Sequence, residues 1–261
     1  MKTTDDFDGS KDVRLVIDVA IPKGRDATRI IQSLTLAFSW FNISLETVDG
    51  VRFNQITAVT SSDKIQSTGL IASQAVLTSS NGPVSGSLNV TRELVISTSN
   101  AKIDVDLNVF DTEEEHKHPS ITLSTSNGGI YARNSLYRGT EGGKGGAYEI
   151  VASTKNAKVN ITFPTAPVDS TLMLTTSTSN AASEIHLHPT YEGGILISTS
   201  NGEARVEIGN EKDPSGEGRE RRMDWESVWK SLVVGWVGWG EKKKRGDLAA
   251  HTSNGRNTVY V

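Results

Sequence analysis

A five-residue turn sequence, written in full as Ser-Thr-Ser-Asn-Gly at residues 198–202, recurs seven times, around Asn81, Asn100, Asn127, Asn156, Asn180, Asn201 and Asn254. Alternating apolar residues flank each copy. Six and four positions before the Asn stand pairs such as Leu94 and Ile96, Ile121 and Leu123, or Ile195 and Ile197. Three, five and seven positions after it stand Ile103, Val105 and Leu107, or Val159, Ile161 and Phe163. Alternation at period two marks half-buried strands. The parity switches across the Asn, so the turn leaves both strands facing one core.

Two architectures satisfy that parity: a stack of β-hairpins, or a solenoid whose corners lie above one another. The residue after the Asn separates them. It is Gly in four copies and Ala (Ala101, Ala157, Ala181) in three. A two-residue hairpin turn of type I′ needs φ > 0 at both central residues, which Ala resists, whereas a solenoid corner can place Asn alone in the left-handed region. The recurrent Thr-Ser before the turn also suits stacked coils, where like side chains bond along a ladder. The expected fold is therefore an all-β β-solenoid, single-stranded and β-helix-like, of about seven coils, with an N-terminal β cap and one helical insert. Stacked β-hairpins or a β-sandwich is the alternative.

The Asn-to-Asn spacings are 19, 27, 29, 24, 21 and 53. Surplus length falls in polar segments away from the motif, at 111–119, 139–146 and 164–170, so one edge of the body is uniform and the other carries loops. Residues 1–12 read as a disordered tail and 13–261 as one repeat domain. Within it, 13–70 is an irregular N-terminal cap, with Val13 onward alternating as a strand, and 71–208 holds the regular coils. A Trp-rich insert fills 209–247 and a closing strand 248–261.

That insert holds four of the five tryptophans. Asp224 is placed to cap a helix, and Trp225, Val228, Trp229, Leu232 and Trp236 fall on one helical stripe, with Gly235, Gly238 and Gly240 arguing against continuation. The basic run 242–245 follows. Tryptophan beside lysine and arginine suits a partner or membrane surface, so Trp225, Trp229, Trp236 and Trp239 are the candidate contact residues. The competing expectation is that the indoles cover the open end of the stack.

Nothing in the sequence assembles a catalytic, cofactor or metal site. The chain has no cysteine, a formal net charge of -4 and 36% hydrophobic residues. The thiolate chemistry is excluded, and the charge makes no electrostatic case for nucleic acid. His186 and His188 share one strand face without a third ligand, and His116 and His118 lie in an acidic loop. Asp104 and Asp106 alternate outward as solubility charges. The Gly-rich stretch 139–145 lacks phosphate-loop spacing. No leader or membrane span is read from the sequence, so an intracellular, cytoplasmic protein is expected.

Copies such as Ser124-Thr125-Ser126-Asn127-Gly128, together with Trp225 to Trp239 preceding Thr252-Ser253-Asn254-Gly255, resemble a fungal domain family built from Thr-Ser-Asn-Gly repeats. The resemblance covers roughly 42–261. More distantly the pattern is similar to bacterial adhesin-like, or toastrack, β-solenoid domains. Neither resemblance implies catalytic residues. The expected function is a non-enzymatic scaffold or protein-interaction module, presenting a flat sheet face or loop edge to a protein partner. A carbohydrate-binding or carbohydrate-active β-helix is an alternative, with Asp104, Asp106, Glu184, Tyr131 and Tyr191 as the acidic and aromatic candidates. A third reading is peripheral attachment to a membrane surface through the insert.

Overall fold

The computed structural model describes residues 28–47, 49–112, 118–139, 143–241 and 245–261. The tail at 1–12, the strand expected from Val13, and His116 lie outside the described residues. So does the greater part of the basic run, at 242–244.

Eighteen strands are present among the described residues: β1 (Arg29–Phe38), β2 (Ile43–Glu46), β3 (Val51–Thr60), β4 (Ile65–Ser79), β5 (Val84–Thr98), β6 (Ile103–Asp111), β7 (Ser120–Thr125), β8 (Ile130–Arg138) and β9 (Ala147–Ser153). They continue as β10 (Val159–Thr165), β11 (Thr171–Thr178), β12 (Ser183–His186), β13 (Gly193–Thr199), β14 (Ala204–Glu207), β15 (Arg221–Trp229), β16 (Leu232–Trp239), β17 (Gly246–Thr252) and β18 (Asn257–Tyr260). Strands do not pair across a motif Asn. Each pairs in parallel with the equivalent strand of a neighbouring coil, as β7 does with β9 and β6 with β8. The chain is thus a β-solenoid, and the hairpin stack is excluded.

Strands preceding the corners form one wall, here sheet A, in the order β1-β3-β4-β5-β7-β9-β11-β17-β13-β16-β15. Strands following the corners form the opposite wall, sheet B, in the order β2-β4-β5-β6-β8-β10-β12-β18-β14. The long strands β4 and β5 run through both walls. Between the walls, Leu94, Ile96, Ile121, Leu123, Ile103, Ile130, Val159 and Ile185 are fully buried. Burying each such side chain is worth about 1.5–3 kcal/mol, so the stack is held chiefly by its core.

The corners form a column. Asn100 Nδ2 donates to Asn81 Oδ1 at 2.7 Å, and the pattern continues through Asn127, Asn156 and Asn180. It then passes to Asn254, and only afterwards to Asn201, each at 2.8 Å. The coils are therefore not stacked in sequence order. β17 lies between β11 and β13, and β18 between β12 and β14, so the last coil of the chain occupies a slot between two earlier ones. The closing strand is an internal coil.

Three further expectations are corrected. No motif Asn is left-handed; among the described non-glycine residues only Asp169 has positive φ, at 65°. The corner closes instead through its threonine. Thr125 Oγ1 accepts from Gly128 N at 3.2 Å and donates to Ala101 O of the adjacent corner at 3.2 Å. Secondly, the described part of the expected irregular cap is made of coils in register. Ser79 Oγ donates to Asp63 O, and Thr60 Oγ1 to Phe41 O, the same corner bond with Ser62 and Trp40 standing where Asn stands elsewhere. Thirdly, the insert is not helical. β15 and β16 form an antiparallel hairpin closed by Lys230 and Ser231, and β16 pairs antiparallel with β13. Its side chains alternate up to a register shift: Arg221, Met223 and Trp225 are half-buried while Arg222 and Asp224 are exposed, and the shift between Trp225 and Ser227 puts Ser227 on the outer face.

Candidate interaction surfaces

The four tryptophans of the insert part company on the hairpin. Trp236 and Trp239 are buried, at 4% and 3% exposure, and Trp225 is packed against the core. Glycines receive the rings: a Cβ on Gly235 would lie 2.4 Å from the Trp225 ring, and one on Gly238 would lie 2.3 Å from the Trp236 ring. An aromatic ring laid over a neighbouring glycine restores the packing that glycine lacks in a strand. Only Trp229, 69% exposed beside exposed Val228, remains on the surface as a contact candidate.

The hairpin tip takes the place of a further coil. Ala204 N donates to Lys230 O and Thr199 N to Ser231 O, continuing the bonds that each corner makes to the next. At its base, Trp239 Nε1 and Arg221 Nη1 both donate to Pro189 O, at 2.8 and 2.9 Å, with the guanidinium 4.8 Å from the Trp239 ring centre. The loop leading into β15 is clamped by Arg219, which donates to Asp213 through Nε and Nη2 and to buried Glu192 through Nη1. The Arg219 guanidinium holds the Asp213 carboxyl well below the usual carboxylate range.

On the outer face of sheet A two columns cross all eleven strands. One runs Thr35, Thr57, Val76, Val95, Thr122, Val151, Thr175, Ala249, Leu196, Val234, Ser227. The other runs Ala37, Val59, Thr78, Ser97, Ser124, Ser153, Ser177, His251, Ser198, Leu232, Trp229. Neither contains Asp, Glu, Lys or Arg. The strip is hydroxyl-rich along its middle and apolar at the hairpin end, where exposed Leu196 and Trp229 lie with Val234 and Leu232. Eleven strands at ~4.8 Å spacing extend it to roughly 48 Å.

Sheet B is the reverse. Its outer columns carry Asp104, Tyr131, Asn160 and Glu184 in one row and Asp106, Arg133, Thr162 and His186 in the next. Asp104, Asp106, Tyr131 and Glu184 thus share a face, while Tyr191 is buried, its hydroxyl donating to Gly194 O and its pKa raised by burial. The acids are mostly neutralised locally. Asp104 pairs with Lys102, and Glu184 with Lys158 and His186, which lower its pKa. His186 lies flat on Tyr260, ring centres 4.2 Å apart. His188 is half-buried and bonded to Thr190, so the two histidines do not form a pair. Among the described residues no group of three or more His, Cys, Asp or Glu could hold a metal ion, and no helix is long and apolar enough to cross a membrane.

The fold and faces define a two-walled parallel β-solenoid with an uncharged strip along one face and ion pairs on the other. No family model, curated protein or solved structure matches the chain.

Proposed function

We propose that the protein is a non-enzymatic scaffold that binds a protein partner along the outer face of sheet A, anchored at Trp229. Its place with the fungal Thr-Ser-Asn-Gly repeat family is part of the same proposal, resting on the motif copies and the Trp-rich insert. The observation that carries the reading is the uninterrupted uncharged strip of twenty-two positions on sheet A, set against the ion pairs of sheet B. Charge depletion at the centre with an exposed indole at one end is the composition of a protein interface. The other wall keeps charges that hold it in water. Two substitutions on the strip, Thr122→Lys with Thr175→Lys, leave the core untouched and place two ammonium groups at its centre. Proximity labelling in cells compares this variant, and Trp229→Ala, with the unmodified chain. The expected result is one set of neighbours lost in both variants; neighbours retained in both would show that the strip is not the binding surface.

A further inference from the structure

The outer face of sheet B breaks its own regularity at one place. β10 pairs with β8 residue for residue from Val159 to Thr162, and then its register shifts, so that Thr165 rather than Pro164 meets Ser135. Phe163 and Pro164 oppose Asn134 alone. Proline has no N–H to give the ladder, so the strand bulges there, and bulges re-aim the side chains beside them. The inward residue at this point is also anomalous. Asn134 is fully buried in a column otherwise occupied by Leu107 and Phe163, and its Oδ1 has no partner. A bulge, a strand proline and an unsatisfied buried amide at one site are local costs that folding alone does not explain.

The bulge opens a shallow groove of about 310 Å³ lined by Arg133, Asn160, Thr162, Phe163, Pro164 and His186, with Leu187 completing it. That volume is at the low end of small-ligand sites, ~300–1,000 Å³. The polar side chains around it are uncommitted: neither Arg133, Asn160 nor Thr162 spends its side chain on another described residue. Glu184 is held by Lys158 and His186, and Asp106, beside Arg133 on β6, forms no ion pair with it. One free guanidinium, one amide and one hydroxyl thus face the groove, beside exposed Pro164.

We propose that this groove binds a carboxylated sugar unit, with Arg133 taking the carboxylate, Asn160 and Thr162 the ring hydroxyls, and exposed Pro164 the C–H face of the ring. Arginine matches a carboxylate with two parallel hydrogen bonds. An amide and a hydroxyl each donate and accept, as sugar hydroxyls require. The groove lies in mid-sheet, where every strand is paired on both sides, so an extended peptide has no open edge to join. The site is on the wall opposite the proposed protein-binding strip and does not depend on it.

Titration of the ¹⁵N-labelled protein with digalacturonate, its uncharged counterpart digalactose, and the dipeptide Glu-Glu tests the assignment. Digalacturonate is expected to shift the resonances of Arg133, Thr162 and His186, and to bind about tenfold or more tightly than digalactose. Arg133→Met, an exposed position, abolishes that preference, and Thr162→Val weakens both sugars while leaving the fold intact. Absence of binding by digalacturonate, or equal binding by the Arg133→Met variant, overturns the proposal. Glu-Glu bound as well as digalacturonate overturns the sugar assignment.

Discussion

At the scale of the residue, each corner is a small bonded unit repeated with one variable position. The threonine hydroxyl binds its own turn and the carbonyl of the corner beside it, as in Thr154 Oγ1 to Gly128 O and Thr178 Oγ1 to Ala157 O, both at 3.0 Å. Where the residue after the Asn is glycine, that neighbouring carbonyl leaves no room for a Cβ. A Cβ on Gly128 would stand 1.7 Å from Ala101 O, and one on Gly255 would stand 1.9 Å from Ala181 O. Gly128→Ala is therefore expected to destabilise the chain by at least about 1–3 kcal/mol, since backbone must move, whereas Ala101→Gly costs only ~0.5–1 kcal/mol of chain entropy. Urea midpoints of the two variants check the asymmetry. The Thr, Ser and Asn of the motif were legible as a stacking corner because side-chain bonding between coils needs like residues. Which corners need glycine was not, because the need lies in the coil below. Trp40 and Ser62 hid two more corners for the same reason: the threonine-to-carbonyl bond persists at Thr60 without the Asn that advertises it.

At the scale of the element, the insert shows how a sequence can carry two periods at once. Trp225, Trp229, Leu232 and Trp236 satisfy a helical stripe, but Arg221, Met223 and Trp225 alternate at period two, and the second pattern prevails. Two things decide it. β13 presents a strand edge that the hairpin continues, and Gly235 and Gly238, poor in a helix, are where indoles lie in the sheet. The turn at Lys230 and Ser231 has neither Gly nor Asn, so no hairpin signal announced it. The clamp beneath the hairpin makes its attachment depend on pH. Asp213 titrates lower in the folded chain than in the unfolded one, so its contribution is complete above the unfolded value of ~3.9 and is lost as pH falls through the folded value. The urea midpoint of the native protein is expected to fall on acidification below that point. Asp213→Asn lowers the midpoint at neutral pH and flattens its acid dependence; equal slopes for the two proteins would show that Arg219 and Asp213 do not hold the loop.

At the scale of the whole molecule, the two-walled stack was legible from parity alone, because only a shared core turns even spacing into odd across a corner. The coil order was not. All the Asn side chains are chemically the same, so the ladder from Asn180 to Asn254 to Asn201 carries no mark in the sequence. The 53-residue spacing is the trace that the chain leaves the stack after β14, builds its hairpin, and returns to a slot left between β11 and β13. A chain ending at Arg245 lacks that coil and leaves four strand edges, on β11, β13, β12 and β14, and an apolar gap inside the body. It is expected to lose cooperative thermal unfolding by circular dichroism, and a peptide of residues 246–261 added in trans is expected to restore it. Cooperative unfolding of the shortened chain without the peptide would show that the neighbouring coils close the slot themselves.

The slot also limits how such a body can grow. A repeat array ordinarily lengthens by tandem duplication at its tail, each new copy landing on the last. Here a copy appended after Val261 would begin from the middle of the stack, with coils already on both sides. Duplication is accommodated only among the coils from Trp40 to Asn180, where chain order and spatial order agree, so the hairpin and the coil at Asn254 are parts that the variable stretch must carry unchanged.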